Sequence, residues 1–177
     1  MSDPGYPAVR SLLMSSQLPP RPESCATPWR VAIVASLYNP IWVDGLVSHF
    51  ESELRTICPR AKIQVHRVPG SFELPLAVEL IAAGKRVDAI AAFGVLLNGE
   101  TAHATLVAQA ITNALLGSSL KHHLPVLHEV LLVQGEAQAA ARCLGADLNR
   151  GTEAARAAVR MLRALESIRL PHPSQTA

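Results

Sequence analysis

Apolar and polar positions alternate in two rhythms along this chain. Val31-Ala-Ile-Val-Ala35 is a short continuous apolar run, the pattern of a strand buried on both faces. Trp42, Leu46, Phe50 and Leu54 then recur every four residues, with Val43 and Val47 beside them, which predicts one apolar face of a helix ended by Pro59. From Ala61 to Val68, Ile63 and Val65 alternate with Lys62, Gln64 and His66, predicting a strand with one wetter side. Val68-Pro69-Gly70-Ser71 breaks it. A helix follows from Glu73 to Ala83, with Pro75 in its first turn and Gly84 past its end.

Asp88 to Gly94 is a second buried strand. Asn98 to Thr101 is a turn, and Thr101 is a good N-cap for a helix from Ala102 to Leu120. Pro125 opens a strand over Val126 to Val133. Glu136 to Cys143 is a short helix, Gly145 to Gly151 a loop, and Thr152 the cap of a last helix reaching Ile168. Four strands alternating with helices predict an α/β fold, a three-layer sandwich around a four-stranded parallel sheet, flavodoxin-like in arrangement.

Length and composition fit one domain. The 177 residues match the prior of about 150 per domain. Hydrophobic residues make up 49% and charged residues 17%, which suits a well-packed core or surface buried in an oligomer. The net charge of +2 gives no field that would hold nucleic acid or an anionic membrane. No apolar run approaches the roughly 20 residues of a membrane helix. Cys25, Cys58 and Cys143 are far apart and odd in number, which argues against a disulfide framework and for a cytoplasmic setting. Residues 1–28 hold six prolines and lack the layout of a secretory signal, so they read as a flexible arm; Asp3 and Glu23 count against a transit peptide. The domain is expected over 29–170 and a tail over 171–177.

In an open parallel sheet, ligands bind beyond the carboxyl ends of the strands. Four stretches fall there: Ser36 to Asn39, Pro69 to Glu73, Leu97 to His103 and Val133 to Glu136. In the third, the residues after Gly99 offer free N–H groups at a helix start, where an anion is favoured, and Thr101 adds a hydroxyl. His103 beside them can move protons near neutral pH; an incidental first-turn histidine is the plain alternative. Ser71 and Glu73 suit a polar heterocycle or polyol, or else Ser71 caps the following helix and Glu73 complements its dipole. Tyr38 can stack on a flat ring or cover the core edge. Arg142 and Arg150 can grip phosphate or stand as surface arginines. No dinucleotide or P-loop fingerprint is present. His122, His123 and His128 lack the spacing of a metal site.

Four separated motifs, in register from Arg30 to Leu165, resemble lumazine synthase, the penultimate enzyme of riboflavin synthesis. Val68-Pro-Gly-Ser-Phe-Glu-Leu-Pro75 is similar to that family's Val-Pro-Gly-Ala/Ser-Phe/Tyr-Glu-Ile/Leu-Pro motif. Gly94-Val-Leu-Leu-Asn-Gly-Glu-Thr-Ala-His103 resembles its Gly-x-x-Ile-x-Gly-x-Thr-x-His segment. Tyr38-Asn39 matches its aromatic-Asn pair. Glu136 to Arg142, then Asn149-Arg-Gly151, resembles its Glu-Gln-Ala-x-x-Arg and Asn-Lys-Gly elements.

The resemblance implies a transferase that joins 5-amino-6-(D-ribitylamino)uracil to 3,4-dihydroxy-2-butanone 4-phosphate, giving 6,7-dimethyl-8-ribityllumazine, phosphate and water without a metal or cofactor. It implies that Tyr38 and Asn39 meet the pyrimidine, with Leu96 and Leu97 beside it, and that Ser71, Phe72 and Glu73 hold the ring edge and ribityl chain. Gly99, Glu100 and Thr101 would bind the phosphate and His103 would carry protons. Arg142, Arg150 and His128 would come from the neighbouring subunit of a pentamer, either free or one of twelve in a shell. The chain departs from the pattern at Leu37, Asn98, Ala104 and His128. These departures leave open a second reading: a lumazine-synthase-like protein of low activity that binds flavin or lumazine, or only assembles.

Overall fold

The computed structural model describes residues 18–99 and 102–169. Among the described residues, four strands and five helices follow in the predicted order: β1 (Arg30–Ser36), α1 (Pro40–Ile57), β2 (Lys62–Val68), α2 (Leu74–Ala83), β3 (Ala89–Leu97), α3 (His103–His122), β4 (Val126–Val133), α4 (Glu136–Cys143) and α5 (Arg150–Arg169). A single 3-10 turn, Ser71–Glu73, joins β2 to α2. All strands are parallel, in the spatial order β2-β1-β3-β4. The fold is the expected three-layer α/β sandwich.

Alternation along the buried strands builds two cores. Val31, Ile33 and Ala35 of β1 and Ala91, Phe93 and Val95 of β3 face α1 and α5, with Leu46, Phe50, Leu54, Ala155 and Val159. Ala32, Val34, Ile90 and Ala92 face α2 and α3, with Leu74, Val78, Ile111 and Leu115. Burial of such side chains supplies most of the stability, about 1.5–3 kcal/mol for each large one.

The details differ from expectation at three places. β2 is an edge strand, and only Ile63 and Val68 are even half-buried, so it has no dry face of its own. The last helix starts two residues before Thr152. Asn149 Oδ1 accepts from the Gly151 and Thr152 N–H groups at 2.9 and 3.2 Å, while its Nδ2 donates to the Cys143 carbonyl. Asn149 is therefore the cap, and Thr152 is buried inside the first turn. Gly151 packs against α1 so closely that a Cβ there would stand 2.2 Å from the Leu46 carbonyl oxygen.

The third difference concerns the proline-rich arm. Residues 1–17 lie outside the described residues, but 18–28 are tied along α1 and α5. Arg156, Arg160 and Arg163, at i, i+4 and i+7 on α5, donate to the carbonyls of Pro19, Pro20 and Glu23. Arg21 forks onto Glu53 of α1, at 2.8 and 2.7 Å, and Arg156 Nε reaches the same carboxylate at 2.7 Å. Prolines lack an N–H, but their carbonyls remain strong acceptors. This half of the arm is a strap.

Candidate active site

A cavity of about 440 Å³ lies beyond the carboxyl ends of β1 and β3. Tyr38, Asn39, Ser71, Leu96, Leu97 and His103 line it, joined by Ala104 and Val107 of α3. Asn39 fixes its rim. Its backbone is left-handed (φ 56°), which asparagine tolerates, and its Nδ2 donates to the Val95 carbonyl at 2.8 Å. Ser36 Oγ donates to the Tyr38 carbonyl, holding the backbone while the tyrosine ring stays 73% exposed. Such a ring is free to stack on a flat ligand.

Ser71 does not cap α2. It opens the 3-10 turn, is only 6% exposed, and its hydroxyl has no hydrogen-bond partner among the described residues. An unpaired buried hydroxyl is costly, and one on a cavity wall suits a polar ligand atom. His103 opens α3 and is exposed on the same cavity. Phe72 and Glu73 are exposed on the neighbouring turn, and Gly99, after Asn98, has open space where a side chain would stand. Glu100 and Thr101, the expected phosphate turn and N-cap, lie outside the described residues.

The remaining expected residues are elsewhere. His128, Gln138, Arg142 and Arg150 line a separate cavity of about 300 Å³ against the outer edge of β4, sharing no wall residue with the first. Arg142 is exposed and has no carboxylate partner among the described residues. Arg150 is committed: its Nε donates to Glu129 at 3.2 Å and its Nη1 to Glu153 at 2.5 Å. Sequence reasoning missed Glu129. Burial pushes its carboxyl up to about 7, against the pull of Arg150. His128 shares a 2.8 Å hydrogen bond with Thr112 of α3. Asn98 donates to Gln134 at 3.0 Å.

His122 is also occupied, on Glu79, together with Lys121 and Ser118. Those three donors hold Glu79 down at about 2. They staple α2 to α3. A further cavity of about 460 Å³ opens at the opposite, amino ends of the strands around Trp29, Asp88 and Glu166.

A cavity beyond the carboxyl ends of an open parallel sheet, largely apolar with a few polar side chains in its wall, is where layered α/β proteins bind small molecules, and this protein is of that class. Its relatives narrow the class to one family. Residues 28–166 match the family model of 6,7-dimethyl-8-ribityllumazine synthase. The chain is 39% identical over 140 residues to the 6,7-dimethyl-8-ribityllumazine synthase of Leptothrix cholodnii, covering 78% of this chain and 88% of that one. It is 37% identical over 134 residues to the enzyme of the same name from Halorhodospira halophila, covering 75% and 86%. The chain belongs to the lumazine synthase family.

Proposed function

We propose that this protein is a working 6,7-dimethyl-8-ribityllumazine synthase, condensing 5-amino-6-(D-ribitylamino)uracil with 3,4-dihydroxy-2-butanone 4-phosphate in riboflavin biosynthesis. The observation that carries this is the buried Ser71 hydroxyl, without a partner among the described residues, in the wall shared with Tyr38 and His103. Tyr38 stacks on the pyrimidine; Ser71, Phe72 and Glu73 hold its edge and the ribityl chain. His103 moves protons as the amine adds to the ketone and as phosphate and water leave, a role typically worth about 10²–10⁴-fold. Gly99, Glu100 and Thr101 take the phosphate with Arg142, supplying fixed donors where charge builds.

The separation of the two cavities supports an oligomer. Arg142, Arg150 and His128 do not reach the His103 cavity of their own chain, so the second cavity serves a neighbour's site. Leu76 and Leu80 of α2 and Leu106, Leu116 and Leu120 of α3 are all exposed, the kind of apolar surface that a subunit interface covers. We take the assembly to be a pentamer in the cytoplasm. Light scattering measures the subunit count, and a monomeric active protein would overturn the shared site. Product absorbance after mixing the protein with both substrates tests the activity itself; no lumazine would end the reading.

One observation favours a second reading. Asn98 stands where the family usually has Arg or Lys, and its amide is tied to Gln134. A protein with that cation missing can bind lumazine or flavin with little turnover. Riboflavin titration in the same assay separates the two.

A further inference from the structure

Glu129 sits in β4 with apolar neighbours on its own face. It is 6% exposed and points toward α5, while His128 points to the other face and meets Thr112. The groups facing it are Arg150 and Glu153 of α5, with the buried Cys143 thiol of α4 near enough to feel its charge. β3 contributes none: Phe93 lies across from Glu129 in the register, and β3 contains no ionisable residue. One guanidinium is thus held between two carboxylates. Arg150 and Arg142 also line the same cavity. With both carboxylates ionised, the Glu129–Arg150–Glu153 group carries one net negative charge beside Arg142. With Glu129 protonated, the group is neutral and Arg142's charge is left uncancelled.

We propose that Glu129 is a positioning residue that sets the anion affinity of the Arg142–Arg150 cavity. Ionised, it leaves the Glu129–Arg150–Glu153 group with one net negative charge that offsets Arg142; protonated, it leaves that group neutral and Arg142's charge open to a bound dianion. This rests on the reading of the cavity as the phosphate-binding half of the shared site. Burial already brings the carboxyl to about 7, so the exchange falls in the physiological range. Removing one negative charge several ångströms from a dianion in a partly wet cavity changes affinity by roughly three- to tenfold. A bound anion must raise the proton affinity of Glu129 by the same factor.

Sulfate is the probe, because it stays a dianion across the range and its affinity reports the protein's titration alone. Calorimetry on the full chain at pH 6 and pH 8, at constant ionic strength, is expected to show binding about fivefold tighter at pH 6. In Glu129→Gln the ratio should fall below about twofold. An unchanged ratio in the variant, or no sulfate binding at either pH, overturns the proposal. Carbon-13 NMR of the wild-type carboxyls removes any dependence on the variant's folding. Sulfate should move the Glu129 titration upward, and an unmoved titration also overturns the proposal. Lumazine synthesis is assayed separately: failure there with the sulfate effect intact sinks the assigned reaction and leaves the charge coupling standing.

Discussion

The hydroxyl of Ser71 occupies space that Gly94 leaves empty: a Cβ at position 94 would stand 2.5 Å from Ser71 Oγ and 3.3 Å from Leu74 Cδ1. β3 needs a glycine there so that the turn after β2 can close over the sheet and aim its serine into the cavity. Two substitutions separate binding from stability. Ser71→Ala removes a buried hydroxyl that has no partner among the described residues, so the melting temperature should hold or rise. The KM for the ribitylaminouracil should rise at the same time. Gly94→Ala should raise that KM and also destabilise by about 1–3 kcal/mol, because Ser71 and Leu74 must both move. A Ser71→Ala protein with lower stability and unchanged KM would remove the serine from the site.

His103→Ala should lower kcat by about 10²-fold or more and leave the melting temperature and subunit count unchanged. The side chain is exposed at the first position of α3, so truncation opens no cavity in the core. Single-turnover absorbance checks the rate. A variant at wild-type rate would reduce His103 to an incidental helix residue.

Arg142→Ala should raise the KM for the butanone phosphate by about tenfold, the worth of one charge-assisted hydrogen bond, with little change in the KM for the uracil. Arg142 is exposed and holds no carboxylate among the described residues, so its loss should barely affect stability. Mixing this variant with His103→Ala is the sharper measurement. If the two residues serve one site across an interface, mixed oligomers recover activity where an intact His103 cavity meets an intact Arg142. No recovery in a proven mixed oligomer would place both residues in a site within one chain.

The fold was legible because its signals are local. Val31–Ala35 and Ala89–Gly94 have no polar interruption, and strands buried on both faces need none. Asn149-Arg-Gly151 shows the limit. Its three residues have three separate duties: a cap for α5, a bridge between Glu129 and Glu153, and a close approach to Leu46. The sequence alone invited Thr152 as the cap, because a hydroxyl before an Ala-rich helix is an equally good local signal. Glu129 carries no local signal, because a carboxylate in a strand usually faces water, and only the crossing of α5 shows that this one does not. The strap depended on α5 offering arginines at i, i+4 and i+7 to carbonyls some 140 positions earlier, a pairing no local pattern encodes.

The strap gives a prediction with a defined pH window. The forked bond from Arg21 holds the Glu53 carboxyl below its ordinary 4.5; burial opposes this, and Arg156 adds to the lowering. A carboxyl depressed in the folded state stabilises the fold above its unfolded pKa and loses that contribution as pH falls through the folded value. The Glu53 contribution, read as the difference between wild-type and Glu53→Gln melts, should therefore hold from pH 7 to about pH 4.5 and then drop; Glu129, whose raised carboxyl adds stability as pH falls through about 7, cancels in that difference. Glu53→Gln should lower stability at pH 7 but flatten that acid-side drop, since the group that protonates is gone. Arg156→Ala should cost about 3 kcal/mol at pH 7, because it strips a buried carboxylate of one partner and releases Pro19 from α5. Limited proteolysis gives the complementary measurement. In Arg156→Ala, cleavage between residues 18 and 28 should precede cleavage of the domain. Equal protection in wild type and variant would mean that the strap is held by something other than Glu53 and the arginines of α5.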